Sequence, residues 1–512
     1  MRIEGHLRES CRKHAGKTAI VDGAQRFSYA ELSNASERLA ASLATNGVVK
    51  GDRVLVLAAN GWQTAVASYA VWMAGAVLCP VNPSTKARRL SFIVNDCEPK
   101  AIIADARSAP TVANMLSLAI KVRPKVILTR PHAQLPEALD FAHCLLAEPA
   151  LAGLDLSDSD LASIIYTSGS TGDPKGVMMG HDNIDAATAS IAAYLGNNEN
   201  DVILNVLPLS FGYGLTQLLT AVQTGATLVL EKSFAYPAVI FERLREEGVT
   251  GFPAVPCMLA MMLRMENLDP ALFASLRYIT SAAAPLPVAH IRRLRTLFPH
   301  VQLYSMYGQT ECVRATWLPP GEIDLRPDCV GIAIPGTAIQ VVDDLGFEVA
   351  PGTVGELAVS GPHVMRGYWN NPAATQFTVR PDPLTGTRRL HTGDLFLADG
   401  DGHVTFVSRK DDIIKTGGFK VAPREVESAL YELEGVVEAL VVGMPDPVLG
   451  ETLKALIVKS IDTLSAEDVL RYCAQILNDF MVPREVEFCD TLPKTPSGKL
   501  SRRLASRRRK AA

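Results

Sequence analysis

The sequence has no CxxC pair and no metal-ligand spacing among its nine cysteines, which excludes a zinc module of the usual kind. An odd count also cannot pair completely into disulfides, and a reducing cytosol is the expected compartment. Nor is there an excess of positive charge. Fifty basic residues against fifty-four acidic ones leave −4, so nothing supports a nucleic-acid partner whose affinity rests on neutralised phosphates. The opening "MRIEGHLRESCRKHAGK" is too charged for a signal peptide and carries acids that transit peptides avoid. No membrane span is expected. The stretch between Arg53 and Lys86 is free of charge, but Asn60, Gly61, Gln63 and Thr64 interrupt it. Pro80 then closes its longest apolar part short of the ~20 residues a span needs. A buried strand followed by a buried helix fits better. No solenoid repeat is present. The basic crowd of Arg502, Arg503, Arg507, Arg508, Arg509 and Lys510 reads as a frayed, solvated end.

What is there is apolar bulk: 512 residues, 48% hydrophobic, more than one ordinary core accommodates. At least two domains follow. Strand-like runs alternate with helical patterns: "DRVLVLAA" before "WQTAVASYAVWMAGA", "KAIIAD" before "APTVANMLSLAIKV", "ATLVLEK" before "PAVIFERLREEG". This predicts an α/β region of parallel-type sheets covered by helices, with ligands at the carboxyl ends of strands. From about Gly331 the pattern turns to alternating, proline- and glycine-punctuated strands, predicting a β-rich subdomain. The charged cluster Ser408 to Asp412 marks a boundary, beyond which "PREVESALYEL" and "SAEDVLRYCAQIL" alternate with "EALVVGM" and "TLKALIVK". The expected division is an N-terminal core of residues 1–408 and a small mobile α+β domain of residues 409–512, with the hinge near 409–411.

"YTSGSTGDPKGV", Tyr166 to Val177, places three glycines, four Ser or Thr side chains and one lysine between the apolar Leu161–Ile165 and the helical pattern "NIDAATASIAAYLG". Converging backbone N–H groups, hydroxyls and a cation are what a polyphosphate requires, although a structural loop can share that composition. The P-loop pattern GxxxxGK(S/T) fails, because Lys175 stands between Pro174 and Gly176. The GxSxG elbow of hydrolases is missing too.

The stretch resembles (S/T)SG(S/T)TGxPKG, the signature of the adenylate-forming superfamily of acyl- and aryl-CoA synthetases, nonribosomal peptide adenylation domains and luciferases. Thr167 to Gly176 match throughout. Four more motifs follow in the family's order: "YGQTE" (307–311), "TGD" (392–394), "RKDDIIKTGGFKVAPREVE" (409–427) and "KTPSGKL" (494–500). With "FSYAELSNASERLAASL", the resemblance covers almost the whole chain.

That resemblance implies ATP, Mg²⁺ and CoA, or a carrier-protein phosphopantetheine, with a small-molecule carboxylic acid as substrate. Thr167, Ser168, Gly169, Ser170, Thr171, Gly172 and Lys175 would grip the phosphates. Thr310 would contact the α-phosphate, and Glu311, a hard-oxygen ligand, the metal. Ala283 and Ala284 in "SAAAPLP" would lie against adenine, with Tyr307 over its other face. Asp394 and Arg409 would hold the ribose. Lys499 would bridge the substrate carboxylate and the α-phosphate, where a cation stabilises charge between two anions. Asp411 matches the hinge position, and Gly417, Gly418 and Lys420 fall in the thiol tunnel. Taken singly, each of these residues has a plain structural reading as a loop acid, turn residue or surface lysine.

"LPLSFGYGLTQLL" (207–219) corresponds to the family's acyl-pocket motif. Gly212 stands where amino-acid-activating members carry an Asp, so an ordinary α-amino acid, whose ammonium would be left unpaired, is disfavoured. "FGYGL" resembles aryl-CoA ligases of the benzoate type, with Phe211, Tyr213 and Gly214 lining a flat or apolar site. Phe211 and Tyr213 could equally be core aromatics. Met306 replaces a common glycine and would shorten the pocket against long acyl chains. The expected activity is an AMP-forming ligase joining a small aryl or medium-sized apolar acid to CoA. Rival readings are a free-standing enzyme that loads a carrier protein in secondary metabolism, and a non-catalytic nucleotide-binding relative. Joint retention of Lys175, Thr310, Glu311, Asp394, Arg409 and Lys499 argues against the second.

Overall fold

The structure, a computed structural model, describes residues 1–149, 155–168, 174–265, 268–495 and 500–507. Two large sheets carry the N-terminal region. In the first, Leu161–Ser168, Val77–Pro80, Arg53–Leu57, Ala101–Ala104, Lys125–Leu128 and Leu139–Asp140 run parallel in that order. "VLVL" is buried on both faces, which is why it shows no alternation. The charge-free stretch resolves into this strand, the buried helix Trp62–Met73 and the strand Val77–Pro80. Among the described residues no helix is long and apolar enough to cross a membrane.

The second sheet positions the site. Its parallel core orders Gln302–Tyr307, Tyr278–Ser281, Gly251–Ala254, Val202–Asn205, Thr227–Leu230 and Thr18–Asp22. The helix Tyr29–Thr45 begins at a reciprocal capping box, Ser28 with Glu31, and packs Leu32, Leu39 and Leu43 into the same core. The β-rich subdomain is an antiparallel sheet of Ala338–Val342, Val354–Ser360, Arg388–Ala398, Val379–Pro381 and Val404–Arg409. Beyond the 3₁₀ turn Lys410–Asp412, a separate sheet built on Val436–Asp446 and Gly450–Lys459 is covered by Pro423–Glu432 and Ala466–Ile476.

Three expectations need correction. The pattern "APTVANMLSLAIKV" is helical only over Ala109–Leu116; the helix is capped at Ser117, ahead of Val122 and Pro124. The Gly-rich stretch does not run directly from strand to helix. Leu161–Ser168 and Pro174–Gly180 form an antiparallel hairpin, pairing Thr167 with Lys175, before the helix His181–Leu195 begins. Arg502 is no frayed end: it donates to Glu427 (2.5 Å), Asp412 (3.1 Å) and the Val441 carbonyl (3.0 Å), docking the helix Arg502–Arg507 on the small domain.

Candidate active site

Three parallel strands of the second sheet deliver their following segments to the same end of it. Val202–Asn205 leads to Phe211, Tyr278–Ser281 to Ala283 and Ala284, and Gln302–Tyr307 to Thr310 and Glu311. A doubly wound sheet concentrates ligand-binding loops at this end because every parallel strand exits there. Two non-glycine residues in these loops adopt left-handed backbone, Ala283 (φ 78°) and Val313 (φ 58°). Such conformations persist only where surrounding structure holds them, and they concentrate at functional sites.

Asp394 gathers the loop ends. It is 5% exposed and accepts hydrogen bonds from the Tyr307 hydroxyl (2.7 Å) and Gln309 Nε2 (2.8 Å) on Oδ2, and from Arg409 Nε (3.0 Å) on Oδ1. The hairpin explains this convergence. Asp394 and Arg409 are directly opposed in the ladder between Arg388–Ala398 and Val404–Arg409, so residues fifteen apart in sequence share one rung. Burial, reinforced by the Asp394 charge, raises the Tyr307 phenol well above its ordinary value, so it stays a donor. Phe396 meets its ring edge-on at 4.8 Å.

A second cluster surrounds Glu311. Its Oε1 accepts from the Tyr368 hydroxyl at 2.8 Å, and Lys175 Nζ lies 5.2 Å from the Tyr368 ring centre. Gly367–Tyr368 pairs with Pro174–Gly180, and the Trp369 N–H donates to the Gly176 carbonyl at 2.7 Å. The lysine and the carboxylate, 136 positions apart, therefore meet across Tyr368. Gly169, Ser170, Thr171, Gly172 and Lys499 lie outside the described residues, as does the side chain of Ser168.

The acyl segment turns into the helix Gly212–Thr224. Phe211 and Tyr213 are half-buried, and Tyr213 shares a 2.7 Å hydrogen bond with the Thr280 hydroxyl. Gly214 is a close-approach position: a Cβ there would sit 2.2 Å from the Pro208 carbonyl oxygen. Met306 is 5% exposed, its sulfur 3.1 Å from the Tyr194 hydroxyl, in a cluster that includes Tyr213 and Trp317.

The small domain meets the large one through Pro423–Glu432. Tyr431 packs edge-on against His290 at 5.6 Å, and Arg424 donates to the Phe406 carbonyl. Lys494, paired to Glu438 at 2.8 Å, exerts its charge on the Cys257 thiol of the N-terminal region; burial raises that thiol and Lys494 pulls it down. Lys494 thus lies near the large domain. Gly417 and Gly418 (φ 55° and 86°) turn between Ile414–Thr416 and Phe419–Val421 and are exposed, as is Lys420. Asp411 is exposed as well.

The segment that follows the strand Val404–Arg409 has its own anchor. Glu356, 5% exposed, takes Lys410 Nζ at 3.0 Å, His391 Nδ1 at 3.2 Å and the Gly393 N–H at 2.7 Å. Burial pushes this carboxyl up, but the His391, Lys410 and Gly393 hydrogen bonds prevail and hold it at about 2, below its ordinary 4.5. A depressed carboxyl contributes stability that is present above pH 4.5 and is lost as pH falls towards 2. Glu356→Gln should therefore lower Tm at pH 7 by about 2–6 °C, and the gap to the parent should close on acidification through that window. Thermal melts at stepped pH check this; a gap independent of pH would show that the charge is immaterial.

Sequence reasoning passed over Gln309, Tyr368, Glu356 and Arg314. Gln309 was visible inside "YGQTE", and Arg314 as a lone charge in the otherwise apolar "CVRATW". Tyr368 and Glu356 had no local signal, because their partners come from distant strands.

Comparison with known proteins fits this geometry. Residues 7–369 match the AMP-binding enzyme family and residues 425–499 the AMP-binding enzyme C-terminal domain. The chain is 31% identical over 520 residues to 3-[(3aS,4S,7aS)-7a-methyl-1,5-dioxo-octahydro-1H-inden-4-yl]propanoyl:CoA ligase of Rhodococcus jostii, covering 98% of both. It resembles the crystal structure of ATP-bound MatB from Rhodopseudomonas palustris (TM-score 0.89, 29% identity, 100% of this chain and 99% of that one). It also resembles a benzoate CoA ligase from Burkholderia xenovorans LB400 (TM-score 0.88, 28% identity, 98% and 99%). With the phosphate-loop hairpin, the loops at the strand ends, the Asp394 cluster and the small C-terminal domain all in the family's order, this chain belongs to the AMP-binding, adenylate-forming enzyme family.

Proposed function

We propose that the protein is an ATP-dependent, AMP-forming acid:CoA ligase acting on a small aryl or medium-sized apolar acid. In the first half-reaction a carboxylate oxygen attacks the α-phosphorus of ATP, giving acyl-AMP and releasing pyrophosphate. In the second, the CoA thiol attacks the acyl carbon, loses its proton and expels AMP. The observation that carries the reading is that the strand-end loops bearing Ala283, Thr310 and Glu311 meet the Asp394–Arg409 rung of the β-rich subdomain, through the hydrogen bonds of Tyr307 and Gln309 to Asp394.

In this reading Asp394 and Arg409 orient the ribose, and Thr310 and Lys175 hold phosphate oxygens. Ala283 and Ala284 let adenine approach the backbone. The donor set at Glu311 fits Mg²⁺: it is a hard-oxygen carboxylate whose Oε1 is steadied by Tyr368, while Oε2 has no hydrogen-bond partner among the described residues. When bound there with the Thr310 hydroxyl nearby, the ion supplies charge neutralisation to the phosphates. Phe211, Tyr213 and Met306 shape the acyl site, and their apolar surface excludes water from the mixed anhydride.

Residues 1–408 form the adenylating core in this account. Residues 409–512 swing about Asp411, so that Lys499 serves the first step and the Gly417, Gly418 and Lys420 turn the second. The exposure of that turn, together with the placement of the Lys494 segment beside Cys257, supports an adenylation-type arrangement here.

Acid-dependent ATP–pyrophosphate exchange over a broad acid panel, followed by thioester formation with CoA, tests the reading. Turnover with a carrier-protein thiol and none with CoA would favour a carrier-loading enzyme. Failure of every acid to support exchange would point to a non-catalytic relative.

A further inference from the structure

Arg314 is 3% exposed and carries a planar, delocalised cation. Buried arginines are normally paired; Arg389, 2% exposed, has Asp382 at 3.0 Å and the Gln340 side-chain oxygen at 2.7 Å. Among the described residues Arg314 has no carboxylate within ion-pair distance; its Nε, like that of Arg389, is buried without a hydrogen-bond partner, and its side chain hydrogen-bonds the Tyr194 hydroxyl. Its neighbours are neutral. The Tyr213 ring centre is 5.0 Å from the guanidinium carbon. Burial raises the Tyr194 phenol, and the Arg314 charge and hydrogen bond pull it down. The His363 imidazole is held near 4 by burial and stays uncharged at pH 7.

The backbone is built to keep this cation inside. A Cβ on Gly308 would come within 2.5 Å of the Val313 carbonyl oxygen and 2.8 Å of the Arg314 Cα, so only glycine lets the two strands of the loop close. The Ala315 N–H donates to the Tyr307 carbonyl (2.9 Å), and Val313 takes the strained left-handed conformation that precedes Arg314. A lone buried charge is a heavy desolvation burden unless an anion joins it. The side chain lies over Tyr213, within the acyl segment, three residues after Glu311.

Resting on the acyl-site reading above, we propose that Arg314 receives a second carboxylate of the substrate. The acid activated here is then a dicarboxylic acid with an aryl or medium-sized apolar body, one carboxylate meeting ATP and the other the planar guanidinium fork. An apolar wall ending in one buried cation selects such a molecule and rejects a methyl group at the same place, because the methyl leaves the charge unpaired.

The probes are matched pairs: adipate with hexanoate, suberate with octanoate, and isophthalate with m-toluate. In ATP–pyrophosphate exchange the parent enzyme should favour at least one diacid by about 10²-fold or more in kcat/KM. Arg314→Met should lower that diacid by about 10²–10³-fold, chiefly through KM, and leave or improve its monoacid partner, with Arg314→Lys restoring part of the loss. Without ligand, Arg314→Met should melt no lower than the parent, since an unpaired buried charge is replaced by an apolar chain of similar length. The diacid should raise Tm of the parent and not of Arg314→Met. Equal or better use of every monoacid, or an equal loss of both classes in a destabilised Arg314→Met, overturns the proposal and makes Arg314 structural. If no probe supports exchange but the diacid stabilises the parent through Arg314, the site stands and the ligase reading falls. If neither occurs, both fall.

Discussion

Lys499→Ala is expected to lower acid-dependent ATP–pyrophosphate exchange by about 10²–10³-fold while leaving thioester formation from supplied acyl-AMP within a few-fold of the parent. Adenylation brings a carboxylate against a triphosphate, and charge accumulates around the α-phosphorus as the new bond forms. A cation placed between the two anions stabilises that charge more in the transition state than in the ground state, so its loss falls on the rate of this step. Thioester formation has no such meeting of anions at the same place. In the proposed reading it uses the small domain in its other orientation, with the exposed Gly417–Gly418 turn brought to the acyl group. Single-turnover measurement of each half-reaction separates the two. Equal loss of both would contradict the assignment of Lys499 to one step.

Asp394→Asn should raise KM for ATP by about 10²-fold and also lower Tm. Asp394 Oδ2 takes hydrogen bonds from both Tyr307 and Gln309, while Oδ1 takes Arg409 Nε. An asparagine offers one acceptor oxygen, so its NH₂ group must face a donor on one side. Hydrogen bonds to a charged group are worth about 1.5–3 kcal/mol each, and the loss of one or two gives a destabilisation of about 2–4 kcal/mol. The same substitution releases Arg409, which is 56% exposed and held in place by this carboxylate, and in the proposed reading it takes away an acceptor for the ribose. The two readouts distinguish roles: a lowered Tm with unchanged KM for ATP would make Asp394 a structural post only. Glu356 and Asp394 share the strands around the hinge, so their effects are expected to couple in a double-mutant cycle.

Much of this was legible in the linear sequence, for reasons that differ between elements. The buried strand "VLVL" and the helix at Trp62 are local consequences of unbroken apolarity and of hydrophobic period. The hairpin ending at Arg409 is marked by "DGDGH". The Gly-rich stretch was recognisable as the family's signature through the ordered motifs downstream, while its own local pattern led to a strand–loop–helix instead of the hairpin of Leu161–Ser168 and Pro174–Gly180. Pairing Thr167 with Lys175 depends on Pro174–Gly180 also being covered by Gly367–Tyr368, strands separated by nearly two hundred residues.

By itself, then, the sequence determined the chemistry available: which cations, carboxylates and small residues occur, in what order, and on which kind of element. Those are local properties, governed by side-chain type and by period along the chain. Only the tertiary structure decided the company each group keeps. That Asp394 faces Arg409, that Tyr368 stands between Lys175 and Glu311, and that Arg314 is buried beside Tyr213 with no carboxylate are facts of long-range packing. The reason is physical: burial and charge pairing depend on distances in space, set by sheet register and loop closure between segments whose separation in sequence carries no record of them.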